Sequence, residues 1–334
     1  MADVRRTSAD EPAFLAAVRS ADATRFAALT ERYRRDLMVH CYRLVANYDD
    51  AQDLTQETFL RAWHKRGSFR GNAALRTWLH RIATNACLDF LEEKAERTPT
   101  PAEPGGAIFE VPHLQPFPDR MLPADPADSV VARETIELAF VAAVQHLPPR
   151  QRAAFILRDV LGWPAATTAS ALGLTVASVT SAVQRARVTL RAHLPGRRSD
   201  WHTPTTHELS EVERAVLRSY IEAHERNDLD GLASLLRADL RFTMLPEPGT
   251  VVTSAKDAVA GWVAGGLFSR YCDLRGVPTT VNLMPTAALY LRSPGHPSHR
   301  LWNIAVLHVV GGKIAELTGF AAADTPWLGL PAEL

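Results

Sequence analysis

The chain has 334 residues, enough for two or three domains, with 46% hydrophobic residues, 22% charged residues and a formal net charge of zero. That balance excludes a uniformly basic nucleic-acid coat, and no run of about 18 apolar residues offers a membrane span. Cys41, Cys87 and Cys272 form no CxxC pair, which argues against a zinc site or a disulfide framework. The opening MADVRRTSADEPAF lacks the apolar stretch of a secretory signal, so a cytoplasmic protein is expected. Charge is unevenly spread: residues 1–200 carry +3 and residues 201–334 carry −3, while 145–200 alone carries +6. A local basic excess of this kind suits a segment that touches phosphates.

In chain order, residues 10–97 read as helical. Apolar residues recur at helical spacing in Phe14, Leu15 and Val18 and again in Phe26, Leu29, Tyr33 and Leu37, and no proline lies between Pro12 and Pro99. Residues 98–128 hold eight prolines and the pair Gly105–Gly106, which excludes a regular helix and predicts an extended linker. The linker also holds Ile108, Phe109, Val111, Leu114, Phe117 and Leu122, which a plain spacer does not need, so it is expected to dock on a surface. Residues 129–195 are helical again, and 196–209 form a short polar linker. Residues 210–237 open a third unit, 210–325, with a helical pattern in Val212, Val216, Tyr220 and Ala223. Strands are then predicted at Leu240–Leu245, Val277–Leu283, Ala287–Leu291, Ile304–Val310 and Ile314–Phe320, with Gly311–Gly312 as the last hairpin turn.

The segment Pro164–Leu194 predicts a helix-turn-helix. Pro164 suits a helix start, Ala165–Leu172 makes a short helix, Gly173 supplies its C-terminal cap, and a second helix runs from about Val176 to His193. Val179, Val183, Ala186 and Leu190 form one buried stripe. The other face presents Ser178, Ser181, Gln184, Arg185 and Arg191, side chains suited to base edges in a major groove. An ordinary helical hairpin with a solvated basic face is the plainer alternative.

Two stretches resemble signatures of the sigma-70 family, in its small extracytoplasmic-function (ECF) branch. DDAQDLTQETFLRAW (Asp49–Trp63) with SFRGNAALRTWLHRIATNACLDFL (Ser68–Leu91) resembles region 2, and Leu147–Leu194, beginning LPPRQRAAFILRDVLGW, resembles region 4. On the first helix, Leu54, Thr58 and Trp63 can pack inward, leaving Asp53, Gln56, Glu57 and Leu60 as an outward face. The resemblance implies that this face grips the β′ coiled coil of core RNA polymerase, and that region 4 meets the β flap. It implies that the FRGNAAL loop and the following helix capture the −10 element, through Phe69, Asn72 and Asn85 at bases and Arg70, Arg76 and Arg81 at phosphates. It further implies that Ser178, Thr180, Ser181, Gln184 and Arg185 read the −35 element, with Arg187 and Arg191 nearer the backbone. Trp78 is expected in the core. The linker stretch HLQPFPD (His113–Asp119) is expected to thread the polymerase near its RNA exit path. Thr167 departs from the family, which often has an acidic residue there.

Residues 210–322 resemble the SnoaL-like, NTF2-like α+β cone, on VERAVLRSYIEAHERNDLDGLASLLRADLRFTMLPEP, KDAVAGW and the closing strands to LTGF. The fold class expected is therefore multidomain: two all-α sigma domains followed by this α+β cone. Phe242, Met244, Trp262, Tyr290, Trp302 and His308 are candidates to line a pocket for a small ligand, and His308 with Asp273 is the candidate acid–base pair if the unit were an enzyme. The resemblance implies instead a regulatory domain acting in cis on a non-catalytic sigma factor that needs no cofactor or metal. The alternatives are a helix-turn-helix regulator that acts without polymerase and a sigma factor fused to a small-molecule enzyme.

Overall fold

The computed structural model describes residues 11–71, 74–97, 111, 113–123, 135–194, 208–245, 251–265, 267 and 273–334. The chain divides into two compact units: residues 1–106 with 121–205, and residues 107–120 with 206–334. Among the described residues no single helix is long and apolar enough to cross a membrane.

The first unit is helical. Helices α1 (Glu11–Arg19), α2 (Ala23–Glu31), α3 (Arg34–Val45), α4 (Tyr48–His64) and α5 (Leu75–Arg97) form its first half. Helices α6 (Leu138–Gln145), α7 (Pro149–Phe155), α8 (Ala165–Leu172) and α9 (Val176–His193) form its second, with α7 widening into a five-residue wound segment at Ile156–Val160. The expected helix-turn-helix boundaries are those observed. Gly173 takes the left-handed conformation (φ 64°) that ends α8, and Thr175 caps α9 by accepting from the Ser178 amide at 3.1 Å.

The two halves meet at the end of α3. The last carbonyls of a helix have no partner within it, and the helix terminus carries partial negative charge. Gln145 donates to the Arg43 carbonyl at 3.2 Å, and the buried Arg152 guanidinium donates to the Leu44 carbonyl. Arg152 also reaches the carbonyls of Gln145 (2.8 Å) and Leu147 (3.1 Å). Arg43, itself 1% exposed, donates to the Thr135 carbonyl at 3.1 Å and to its hydroxyl at 2.6 Å. Burial lowers the pKa of Arg43 to about 10 and of Arg152 to about 9, so both stay charged at neutral pH.

The second unit places α10 (Glu211–Glu225), α11 (Leu229–Leu235) and α12 (Ala255–Ala264) against a six-stranded sheet of order β2-β1-β6-β5-β4-β3. The strands are β1 (Leu236–Leu245), β2 (Val251–Val252), β3 (Asp273–Val281), β4 (Met284–Arg292), β5 (Arg300–Val310) and β6 (Lys313–Ala321). β1 runs parallel to β6 and all other pairings are antiparallel. This is the α+β architecture expected of the C-terminal domain. Register shifts beside Tyr290 and His308 are bulges, which bend a sheet. Gly311 and Gly312 (φ 60° and 77°) make the expected β5–β6 turn. The β3–β4 turn has no glycine: Asn282 and Leu283 adopt φ 54° and 58°, and left-handed backbone costs an ordinary residue about 1–2 kcal/mol.

A capping box starts α10, with the Ser210 amide donating to Glu213 at 2.7 Å and the Glu213 amide to Ser210 at 3.2 Å. Tyr220 and His224 on α10 lie in the core with Trp262 of α12 and Phe242 of β1. Burial lowers the pKa of His224 to about 4 and raises that of Tyr220 beyond its ordinary range. Near neutral pH, His224 is uncharged in the folded and unfolded states alike. Below about pH 6.5 the unfolded chain takes up a proton that the folded chain refuses, so stability falls with pH and levels off near pH 4. The gap is about 3 kcal/mol. Urea titration of the second unit between pH 7 and pH 4 should show this loss, and His224→Gln should remove most of it.

Candidate nucleic-acid interface

Helix α9 carries its predicted stripe, with Val179, Ala182, Val183, Ala186 and Leu190 buried. Ser178, Thr180, Ser181, Gln184, Arg185, Arg187 and Arg191 are all exposed. Thr180 donates to the Val176 carbonyl at 2.9 Å, so its oxygen remains an acceptor at the surface. Arg187 departs from the expected phosphate role. Its guanidinium makes two hydrogen bonds to Asp159, at 2.6 and 2.9 Å, and Asp159 is only 4% exposed. A buried carboxylate needs such a partner, so Arg187 ties α9 to the segment after α7. Two apolar residues escaped the sequence reading: Val176 is 48% exposed and Val188 66% exposed. Ala177, Ser181, Gln184 and Val188 follow one another at spacings of 4, 3 and 4 on the face opposite the buried stripe. Exposed apolar groups on such a ridge suit the thymine methyl in a major groove.

In the first half, Asn47 caps α4 by accepting from the Asp50 amide at 2.9 Å, and Asp49 and Asp50 favour its positive end. Leu54 and Thr58 are buried, as expected, and Trp63 packs edge-on to Phe26 at 5.2 Å. Asp53, Gln56 and Leu60 are exposed, Leu60 by 58%. Glu57 is engaged by Arg61 at 2.8 Å, and Arg61 also reaches Asp89 at 2.5 Å. Gln56 and Leu60 border a groove of about 330 Å³ between α2 and α4, which Phe26, Ala27 and Trp63 also line.

The expected −10 residues are placed unevenly. Arg70 and Arg81 are exposed and Asn85 is half-buried, while Asn72 lies outside the described residues. Phe69 is 5% exposed, its ring packed against Phe14 at 5.1 Å and Trp78 at 5.4 Å, so in this arrangement it is a core residue rather than a presented base contact. Trp78 belongs to the same aromatic cluster. Arg76 is paired with Asp36 through two hydrogen bonds of 2.6 and 2.9 Å, which takes it from the free cations expected there. His80 and Thr84 face inward. His40 Nε2 meets the Thr84 hydroxyl at 2.8 Å, that hydroxyl donates to the His80 carbonyl, and the two imidazoles lie 5.0 Å apart. Burial first, and then neighbouring positive groups, hold His40 well below its ordinary pKa; burial lowers His80 against the opposing pull of Asp36.

The candidate pocket of the second unit divides. Phe242, Met244 and Trp262 belong to the face that meets the helices. On β4 and β5 that face holds Ala287, Leu289, Ala305 and Leu307, so the alternating Tyr290 and His308 point to the other side. Trp302 is the extra residue of a bulge and is 37% exposed. Nor do His308 and Asp273 form a pair. Asp273 accepts from Arg292 and lies 2.9 Å from His299 Nε2, which together lower its pKa. His308 faces Glu316 at 3.7 Å and lies nine residues, about 30 Å, along the chain from His299. Among the described residues no cluster of His, Cys, Asp or Glu could hold a metal.

Family models match residues 29–97 to sigma-70 region 2 and residues 137–190 to sigma-70 region 4. The chain is 38% identical over 327 residues to the ECF RNA polymerase sigma factor SigG of Mycobacterium tuberculosis, with 92% of this chain and 85% of that relative covered. The chain belongs to the ECF sigma factors. Such factors act with core RNA polymerase and promoter DNA, and this chain is an alternative sigma factor that initiates transcription. SigW of Bacillus subtilis is 29% identical over 177 residues, which cover 53% of this chain and 92% of the relative. The crystal structure of the Mycobacterium tuberculosis ECF sigma factor SigJ matches with a TM-score of 0.56 and 26% identity, covering 90% of this chain and 97% of that one. The additional α+β unit is therefore part of a sigma factor architecture seen in a solved relative.

The three arginines of α9 should separate in measurement. Arg187→Ala should lower stability by about 1–2 kcal/mol, since Asp159 stays buried and the exposed half of the pair is discounted, and should leave the salt slope of DNA binding unchanged. Arg191→Ala should weaken binding evenly and flatten that slope, whereas Arg185→Ala should also change sequence preference. Melting curves and salt titrations of promoter binding would check all three.

Proposed function

We propose that this ECF sigma factor reads the −35 element with the exposed ridge of α9, through Ser178, Thr180, Ser181, Gln184 and Arg185, with Arg191 on the backbone. The observation that carries this reading is the exposed face of α9: Ser181 and Gln184 lie opposite the buried stripe, and Ser178, Thr180 and Arg185 flank them, all exposed. Arg70, Arg81 and Asn85 serve the −10 element, joined by Asn72. The outward face of α4, with Asp53, Gln56 and Leu60, docks on the β′ coiled coil of core polymerase, and the second half meets the β flap. A solvent-exposed leucine beside an apolar groove and between polar side chains supports a protein-docking role for that face. The α+β unit acts in cis as a regulator, with a small ligand as one means of control, and performs no catalysis; the separation of Asp273 from His308 supports the non-catalytic reading. The factor works in the cytoplasm.

Run-off transcription with core polymerase and a cognate promoter tests this. Asp53→Arg and Leu60→Asp should each reduce core binding at least tenfold while leaving duplex affinity unchanged. A transcript that persists at wild-type yield from both variants would remove α4 from the polymerase interface.

A further inference from the structure

Residues 113–120 are built into the C-terminal unit, although in the chain they lie between the two DNA-reading halves. Phe117 is fully buried. Its amide donates to Asn282 Oδ1 at 2.7 Å, and its carbonyl accepts from the Asn282 amide at 3.0 Å. Pro118 bridges Val281 in antiparallel fashion, so the segment extends the end of β3 as a short added strand. Asp119 Oδ1 accepts from the Leu283 amide at 2.9 Å. From the C-terminal tail, the Trp327 indole donates to the Pro116 carbonyl at 3.1 Å. The Arg120 guanidinium donates to the carbonyls of Trp327 and Leu328. Gly329 (φ 70°) makes room for it, because a β-carbon there would sit 3.1 Å from Arg120 Nη1.

Domains recognise extended peptides in this way: main-chain pairing holds the strand, a buried aromatic anchors it, and charged side chains set its register. The receiving side is specialised too. The left-handed Asn282–Leu283 turn is one that leucine rarely adopts, and such backbone persists where its surroundings hold it. The amides of those two residues are the groups that Phe117 and Asp119 engage, so occupant and turn stabilise each other.

We propose that the β3–β4 turn and the C-terminal tail form a recognition site for an extended peptide, filled in the free chain by residues 113–120, and that emptying this site is how the C-terminal unit controls sigma activity. The control rests on the cis-regulatory reading above. The ligand class is an extended segment of the form Pro-Phe-Pro-Asp-Arg, with an aromatic anchor followed two and three positions later by an acid and a cation. While the site is filled, the linker between the two DNA-reading halves is pinned at its middle, which restricts how they can be placed. Emptying it therefore raises transcription.

The test uses the full chain carrying Phe117→Ala and Arg120→Ala together, and a fluorescent peptide with the sequence of residues 111–122. Anisotropy should show saturable binding to this variant and at least tenfold weaker binding to the wild type, whose site is filled. A peptide with alanine in place of the phenylalanine should bind the variant at least tenfold more weakly. Run-off transcription by the variant should exceed wild type at least threefold. Arg120→Ala alone, a change of an exposed side chain that leaves the core intact, should give intermediate values in both assays. Absence of saturable peptide binding to both variants, or transcript yields within twofold of wild type, overturns the proposal. A wild-type chain that yields no transcript would instead fell the sigma reading, and the peptide arm would still decide whether the site exists.

Discussion

Two guanidinium groups sit buried in the helical unit, and their hydrogen bonds go mainly to backbone oxygens. Their position follows from the end of α3, whose last carbonyls would otherwise be stranded away from water. Arg152 and Gln145, from the second half of the unit, supply the missing donors, while Arg43 returns the favour toward Thr135. Neither half is polar-satisfied at this point without the other. The arrangement also decides which surfaces face outward. α3 presents His40 and Asp36 to α5, which draws His80 and Thr84 into the interior, holds the half-buried Arg76 in an ion pair and leaves Arg70 and Arg81 at the surface.

The same logic governs the arginines of α5 and α9. An arginine's usefulness to DNA depends on whether a carboxylate has already claimed it. Arg187 and Arg76 each make paired hydrogen bonds to an aspartate, whereas Arg185 and Arg191 lie on the open face. Ion pairs thus fix Arg187 and Arg76 against their own unit, while Arg185 and Arg191 stay on the exposed face of α9.

The helix-turn-helix was legible to the residue because its signals are local: a proline start, a glycine cap and a stripe with one period. Five of the six strands were legible in order, while the two-residue β2 was not, and their ends were off by up to four residues: Asp273–Gly276 and Arg300–Asn303 alternate poorly and are placed by pairing with β4, and the strand expected over Val277–Leu283 stops at Val281, because Asn282 and Leu283 turn left-handed. The division of the pocket candidates was not legible, because which face a strand residue takes depends on register and on the bulges beside Tyr290 and His308. The roles of Phe69, Arg76 and Arg187 were hidden for a related reason. Their partners Phe14, Asp36 and Asp159 lie 28 to 55 positions away in the chain, beyond any periodic signal. The apolar residues of the linker did signal docking, but not that the dock would be the chain's own C-terminal unit.

The pairing of Phe117 with Asn282 spans 165 positions, which gives the molecule an age. At the usual pace of synthesis, about 5–20 residues per second, the linker leaves the ribosome roughly 8–30 s before the turn that receives it has been made. Both DNA-reading halves are complete within that interval, because Leu194 also precedes the turn. Every newly made copy therefore passes through a period in which its linker has no place to go. The length of that period is set by the 165 positions that separate the two partners.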